Sequence, residues 1–319
     1  MISVTIQDFT GVYAEQPFMQ RLRQASTAPN SEIRWFDCTR IEGTDCYCDD
    51  EAQAILRKQI EHIRSNNSFA IHFFDNGNYH YMSKLWTDTV QEPFDLVVFD
   101  HHPDMQPPRF EGILSCGGWI KEVLEHNRFV QNVVVIGVAD HLIEEIQQDL
   151  SQANAAETLN RVTFIRESEL KDLQNNLSSF VCSEHASVLS SNLYISIDKD
   201  ALNTQEAATN WDQGSLTFEQ LANALQALAR NRKILGVDIC GERSRDMGFE
   251  DTAAADALNS ALNEKLFLLL QDIASKNDSL DPVGFTNLQD DNITKKMPDP
   301  VGHDNICSSH NSVGTNGVS

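Results

Sequence analysis

A chain of 319 residues, 41% of them hydrophobic, can bury one large core, and it holds no apolar run approaching the ~18 to 20 residues of a membrane span. A formal charge of −23 repels phosphate backbones and anionic lipids, which argues against nucleic acid or a membrane as partner and for metal ions or a cationic substrate. The opening ISVTIQDFT has no basic region followed by an apolar run, so a cytoplasmic location is expected. The seven cysteines are odd in number and scattered, which reads as reduced thiols, and Cys46-x-Cys48 reads as ordinary.

In chain order, a strand is expected over Val4–Ile6, a helix over Glu51–Ile63, and strands over Phe69–Phe74 and Leu96–Phe99. A helix over Trp119–Glu125, a strand over Val133–Val138, a helix over Leu142–Leu150 and strands over Val162–Ile165 and Leu193–Ile197 follow. The helix Phe218–Ala229, the strand Ile234–Ile239 and the helix Ala253–Ile273 complete the set. Most of the strand runs are continuously apolar, the mark of strands covered on both faces. The alternation of strand and helix predicts a three-layer α/β/α domain with a mostly parallel sheet over residues 1–275. From 276 to 319 the chain turns to Asn, Asp, Ser, Gly and Pro, which cannot bury enough surface to offset ordering entropy, and a disordered tail is expected.

Ligands of open parallel sheets bind beyond the carboxyl ends of the strands. There, LVVFD runs into Asp100-His101-His102-Pro103-Asp104, LYISI runs into Asp198-Lys199-Asp200, and IHFF runs into a loop carrying His80. In Asp100-x-His102-x-Asp104 and Asp198-x-Asp200 the ligand-type groups recur every second residue, so an extended backbone would point them to one side and leave His101 turned away. Four carboxylates packed together without cations would raise one another's pKa values, and divalent metals relieve that. Carboxylate and imidazole ligands without thiolate favour Mn²⁺ or a similar octahedral ion.

On these residues the chain resembles the arginase or ureohydrolase superfamily, whose motifs are a metal-binding His in a Gly-containing loop, DxHxD, SxDxD and a late acidic residue. Here they match GNYHY at His80, DHHPD at Asp100–Asp104, SIDKDALN at Ser196–Asn203, and GVDICGE ending at Glu242. The resemblance implies two Mn²⁺ per chain, one held by His80, Asp100, Asp104 and Asp198 and the other by Asp100, His102, Asp198 and Asp200. It implies hydrolysis of a guanidinium to urea and an amine by a hydroxide between the metals, with Asp104 among the catalytic residues. Glu242 is the candidate partner of the guanidinium, with Asp238 as the alternative.

Members acting on free arginine follow DxHxD with an Asn, a Ser-Gly-Asn and a His-Gly that grip the amino acid's carboxylate and relay protons. Here Gln106 replaces the Asn, Ser115-Cys116-Gly117-Gly118 the Ser-Gly-Asn, and Trp119-Ile120 stand near the His-Gly. The loss fits a substrate without a free α-carboxylate. Similarity to peptide arginases, which turn arginyl side chains of ribosomally made peptides into ornithine, implies an arginine-containing peptide as partner. Agmatine or another small guanidino compound is the alternative, and a catalytically inactive metal-binding or peptide-binding protein is a second. His141 could replace the proton-relay His or simply open a helix after Asp140. Trp211, in the TNWDQG loop, is a candidate substrate contact; an open groove flanked by Trp211 and Trp119 would fit a peptide, a closed pocket agmatine. Oligomeric state is left open.

Overall fold

The computed structural model describes residues 2–61, 63, 69–107, 112–152, 156–172, 189–244 and 252–277. Ten strands are found among them: β1 (Ile2–Asp8), β2 (Ile33–Asp37), β3 (Tyr47–Cys48), β4 (Phe69–Phe73), β5 (Phe94–Phe99), β6 (Leu114–Ser115), β7 (Val130–Val138), β8 (Val162–Arg166), β9 (Asn192–Asp198) and β10 (Lys233–Cys240). Eight of them form a sheet in the order β2-β1-β4-β10-β9-β5-β7-β8, and every pairing in it is parallel. The remaining two, β3 and β6, pair antiparallel.

Among the described residues nine α-helices accompany the strands: α1 (Pro17–Ser26), α2 (Asp50–Glu61), α3 (Met82–Thr87), α4 (Trp119–His126), α5 (Asp140–Gln152), α6 (Ala156–Leu159), α7 (Glu167–Asp172), α8 (Phe218–Leu228) and α9 (Ala253–Asn277). Two cores explain the three layers. Alternate strand residues such as Val97, Phe99, Ile195, Ile197, Val237 and Ile239 pack with α1, α8 and α9. Their neighbours Leu96, Val98, Val133, Val135 and Tyr194 pack with α2, α3, α4 and α5. Each central strand thus covers two apolar layers, which is why its sequence is a continuous rather than alternating run.

All seven expected strands and five expected helices are present, with ends shifted by a few residues. The edge strand β2 was not expected: IRWFD is only partly buried along its length, so it carries no continuous apolar run. The fully buried α3, MSKLWT, is too short to show a helical period. Lys276 and Asn277 still belong to α9, and the tail from 278 onward, with its His303, Cys307 and His310, lies outside the described residues.

After β4 the chain steps across two sheet positions to build β5, and β9 and β10 later fill the gap. Register then does the placing. Phe99 lies beside Ile197, so Asp100 and Asp198 leave the sheet side by side, and Cys240 lies beside Asp198. The loops after four adjacent strands therefore open on one crevice at the carboxyl edge.

Candidate metal centre and cleft

The chain leaves β4 through Asp75 and enters a 3-10 turn, Gly77–Tyr79, in which the Asn78 N–H donates to the Asn76 side chain at 2.8 Å. This turn delivers His80, which is 1% exposed. Its Nε2 lies 2.9 Å from Ser196 Oγ. Its Nδ1 faces Asp104 Oδ2 at 3.0 Å, Asp100 Oδ2 at 3.1 Å and Asp198 Oδ2 at 3.6 Å. His102 faces the second half of the crevice, with Nδ1 3.0 Å from Asp200 Oδ2 and 3.5 Å from Asp100 Oδ1. Its far nitrogen, Nε2, lies 3.1 Å from Asp212 Oδ1, the carboxylate–imidazole pairing that orients a metal-ligating histidine.

The six residues converge, but not on an extended backbone. Asp200 lies in a 3-10 turn, Lys199–Ala201, started by its own N–H bonding Asp198 Oδ1 at 3.0 Å. Asp104 adopts φ +45°, a left-handed conformation uncommon outside glycine, and the Trp119 indole N–H fixes its Oδ2 at 2.6 Å. His101 turns away, its Nδ1 toward the Gly137 carbonyl and its backbone N–H toward Asp200 Oδ1. Two glycines make room for Asp198. A Cβ at Gly77 would stand 3.0 Å from Asp198 Oδ2, and one at Gly241, where φ is +90°, would stand 2.3 Å from Oδ1.

The charge balance of the crevice calls for a cation. Burial, with Asp200 and Asp100 close by, pushes the Asp198 carboxyl up to about 7, and burial and Asp100 raise Asp200. Burial pulls the two imidazoles down, but the carboxylates outweigh it and leave both His80 and His102 well above their ordinary value. Even so, His80 Nδ1 and Asp100 Oδ2 are buried without a hydrogen-bond partner. Two sets of potential ligands share Asp100: His80, Asp100 and Asp104, and Asp100, His102 and Asp200, the atoms of each set lying within 4.8 Å of one another. A further set adds Cys240 to His80 and Asp198. Burial keeps that thiol protonated and donating to Asp198 Oδ2 at 3.3 Å, so oxygen and nitrogen remain the ligand chemistry.

Four expectations about substrate and catalytic residues need correction. Glu242 is fully buried and turned away from the crevice: it pairs with Lys199 and accepts from Gln16 Nε2 and Asn263 Nδ2, each at 2.8 Å. Asp238 lies within β10, where strand alternation sends it into the core to meet His72 Nδ1 at 2.7 Å and the Tyr194 hydroxyl at 2.8 Å. His141 is exposed on the first turn of α5 and does not line the cleft, which α5 meets instead through Leu142, Glu145, Ile146 and Asp149. Trp119 is completely buried behind His80 and Asp104, so it backs the crevice rather than flanking a groove. Trp211 does flank it, 40% exposed, with its indole N–H on Asn78 Oδ1 at 2.9 Å. The supports missed in the sequence are Ser196, Asp212 and Lys199. Ser196 and Lys199 stand inside the SIDKD motif, where spacing alone gives them no role.

The cleft above the six residues encloses about 590 Å³. Three layers about a parallel sheet, with carboxylates and imidazoles gathered at its carboxyl edge, define an α/β protein with a candidate binuclear metal centre. The sequence profile of the arginase family matches residues 17–258, and the chain belongs to that family, hydrolases acting on the C–N bonds of linear amidines. An uncharacterized protein of Thermotoga maritima is 28% identical over 241 residues, covering 75% of this chain and 79% of that one. The agmatine ureohydrolase of Thermoplasma volcanium has a similar structure, with a TM-score of 0.57 and 15% identity over 86% of this chain and 91% of the other. Formimidoylglutamase from Bacillus subtilis gives a TM-score of 0.57 and 15% identity over 88% of each chain. At such identities these two show the fold. Arginase-family enzymes are typically binuclear-metal-dependent, and the overlapping ligand sets fit that requirement. No helix among the described residues is long and apolar enough to cross a membrane.

Proposed function

We propose that this chain is a manganese-dependent ureohydrolase of arginine side chains within a peptide, giving ornithine residues and urea. The charge of the cleft carries the substrate reading. Among the described residues its lining holds no lysine or arginine, while Glu145 and Asp149 stand exposed on its outer wall. A free amino acid would bring its α-carboxylate to a wall with no cation and two like charges. An arginine whose carboxyl is already an amide brings only its guanidinium. The volume of the cleft suits a ligand larger than one guanidinium and its alkyl chain.

Two Mn²⁺ ions bound among the six residues would supply Lewis acidity and a water ionisable near neutral pH. His80, Asp100, Asp104 and Asp198 would hold one, and Asp100, His102, Asp198 and Asp200 the other. The protein's contribution is position. Ser196 sets the His80 ring, Trp119 holds Asp104, and Asp212 holds His102. Trp119 and the Gly77–Tyr79 turn are buried, so they keep bulk water from the floor of the crevice and strengthen its attraction for a cation.

The same Glu145 and Asp149 favour a second reading, agmatine, whose distal ammonium they could pair. The Mn²⁺-loaded protein should be incubated separately with an arginine-containing peptide, agmatine and free arginine, and the products weighed by mass spectrometry. A peptide lighter by one CN₂H₂ unit per converted arginine is expected, with free arginine the poorest substrate. Turnover of agmatine with the peptide untouched would replace the first reading by the second.

A further inference from the structure

Two half-buried thiols meet at the rim of the cleft. In the β3–β6 pair, Tyr47 lies opposite Ser115 and Cys48 opposite Leu114. One step further along, Cys46 and Cys116 come face to face, and the Cys116 N–H donates to the Cys46 carbonyl at 2.9 Å. That bond carries the pairing one residue past both strands, and the Cα atoms of a hydrogen-bonded antiparallel pair lie about 5.5 Å apart, inside the ~4.4 to 6.8 Å that a disulfide spans. The Cys46 side chain beside it and burial push the Cys116 thiol well above its ordinary value, and both residues line the cleft. The other three cysteines among the described residues, Cys38, Cys48 and Cys240, are buried. Cys46 also adopts φ +57°, a conformation few non-glycine residues take, at the turn that brings it opposite Cys116.

We propose that Cys46 and Cys116 are a dithiol modification site that closes to a reversible disulfide by exchange with a low-molecular-weight disulfide. The thiolate of one cysteine attacks a sulfur of the small disulfide, forming a mixed disulfide and expelling one small thiolate. The thiolate of the other cysteine attacks the protein sulfur of that bond, forming the Cys46–Cys116 disulfide and expelling the second small thiolate. Two protein thiols are oxidised, one small disulfide is reduced, and the two cysteine protons end on the two small thiols.

The bond would join the two walls of the cleft. On one side, Asp45 accepts from Asn78 Nδ2 at 2.8 Å, and Asn78 Oδ1 in turn holds the Trp211 indole. On the other, Cys116 leads through Gly117 and Gly118 into Trp119, which holds Asp104. The site stands whatever the substrate of the crevice is, because it draws only on the residues that flank β3 and β6.

The full chain should be exposed to oxidised glutathione, its remaining thiols alkylated, and its peptides mapped without reduction. A peptide pair joined through Cys116, lighter by two hydrogens than its separate parts and parted by dithiothreitol, is expected. It should survive Cys48→Ser and vanish with Cys46→Ser or Cys116→Ser. Because the bond closes a loop of about 70 residues, the oxidised chain should also melt about 5 °C above the reduced one, a gain absent from Cys46→Ser. Glutathione retained separately on Cys46 or Cys116, or a link through Cys48 instead, would overturn the assignment.

Discussion

Three consecutive residues, Asp198, Lys199 and Asp200, face two environments that treat buried charge in opposite ways. Lys199 turns to Glu242, both fully buried, and the remaining capacity of that carboxylate is taken up by Gln16 and Asn263. Asp198 and Asp200 turn to the crevice, where four carboxylates meet two imidazoles and two buried atoms still lack partners. A closed ion pair of this kind anchors a chain; an open cluster keeps room for an ion from outside. A site that has to hold repelling carboxylates together needs a settled neighbour to hold them against.

The largest effect expected from breaking this contrast is on the open side. Asp198→Asn keeps the shape and removes one ligand charge, so turnover should fall by about 10³-fold or more, roughly 4 kcal/mol of barrier, and the metal content found by elemental analysis should fall with it. In chelator, the same variant should melt at or above the parent, because one repelling carboxylate has gone. Full activity in Asp198→Asn would remove the metal centre from the proposal.

On the closed side the same logic runs in reverse. Lys199→Met leaves the Glu242 charge buried without its cation and should cost about 3 to 5 kcal/mol, read from denaturant unfolding of metal-free protein. The double variant Lys199→Met/Glu242→Gln removes both charges and should recover most of that loss. A single variant as stable as the parent would mean that the pair anchors nothing.

The open side was largely legible in the sequence and the closed side was not. Central strands covered on both faces announce themselves as apolar runs, so LVVFD and LYISI marked the places where Asp100 and Asp198 leave the sheet. The convergence of the ligands was anticipated for an imperfect reason: a period of two was invoked, whereas a 3-10 turn and a left-handed Asp104 do the work. The Lys199–Glu242 pair joins residues far apart in sequence, and only the alignment of Cys240 with Asp198 brings them together. For that reason Glu242 read as a substrate contact. Asp238 was open to a better reading, since Val237 and Ile239 beside it face one core and strand alternation sends Asp238 to the other. Cys46 read as half of a C-x-C, although its structural neighbour is Cys116, in the turn just after β6.

The smallest effect concerns the outer wall, where neither kind of burial applies. Glu145 and Asp149 are exposed on α5, and each charge there is worth about 0 to 1 kcal/mol to a cationic ligand. The variant Glu145→Gln/Asp149→Asn should therefore lower kcat/KM for a cationic peptide by about two- to fivefold, with kcat unchanged, because both residues lie away from the six ligands. The difference should fade as salt rises toward about 1 M, where the Debye length falls to about 3 Å. Free arginine should respond in the opposite direction, since its α-carboxylate no longer meets two like charges, so the preference for peptide over free arginine should narrow. An equal loss for both substrates would mean that the wall attracts any guanidinium and selects nothing, and the choice of substrate would then rest on the shape of the cleft rather than its charge.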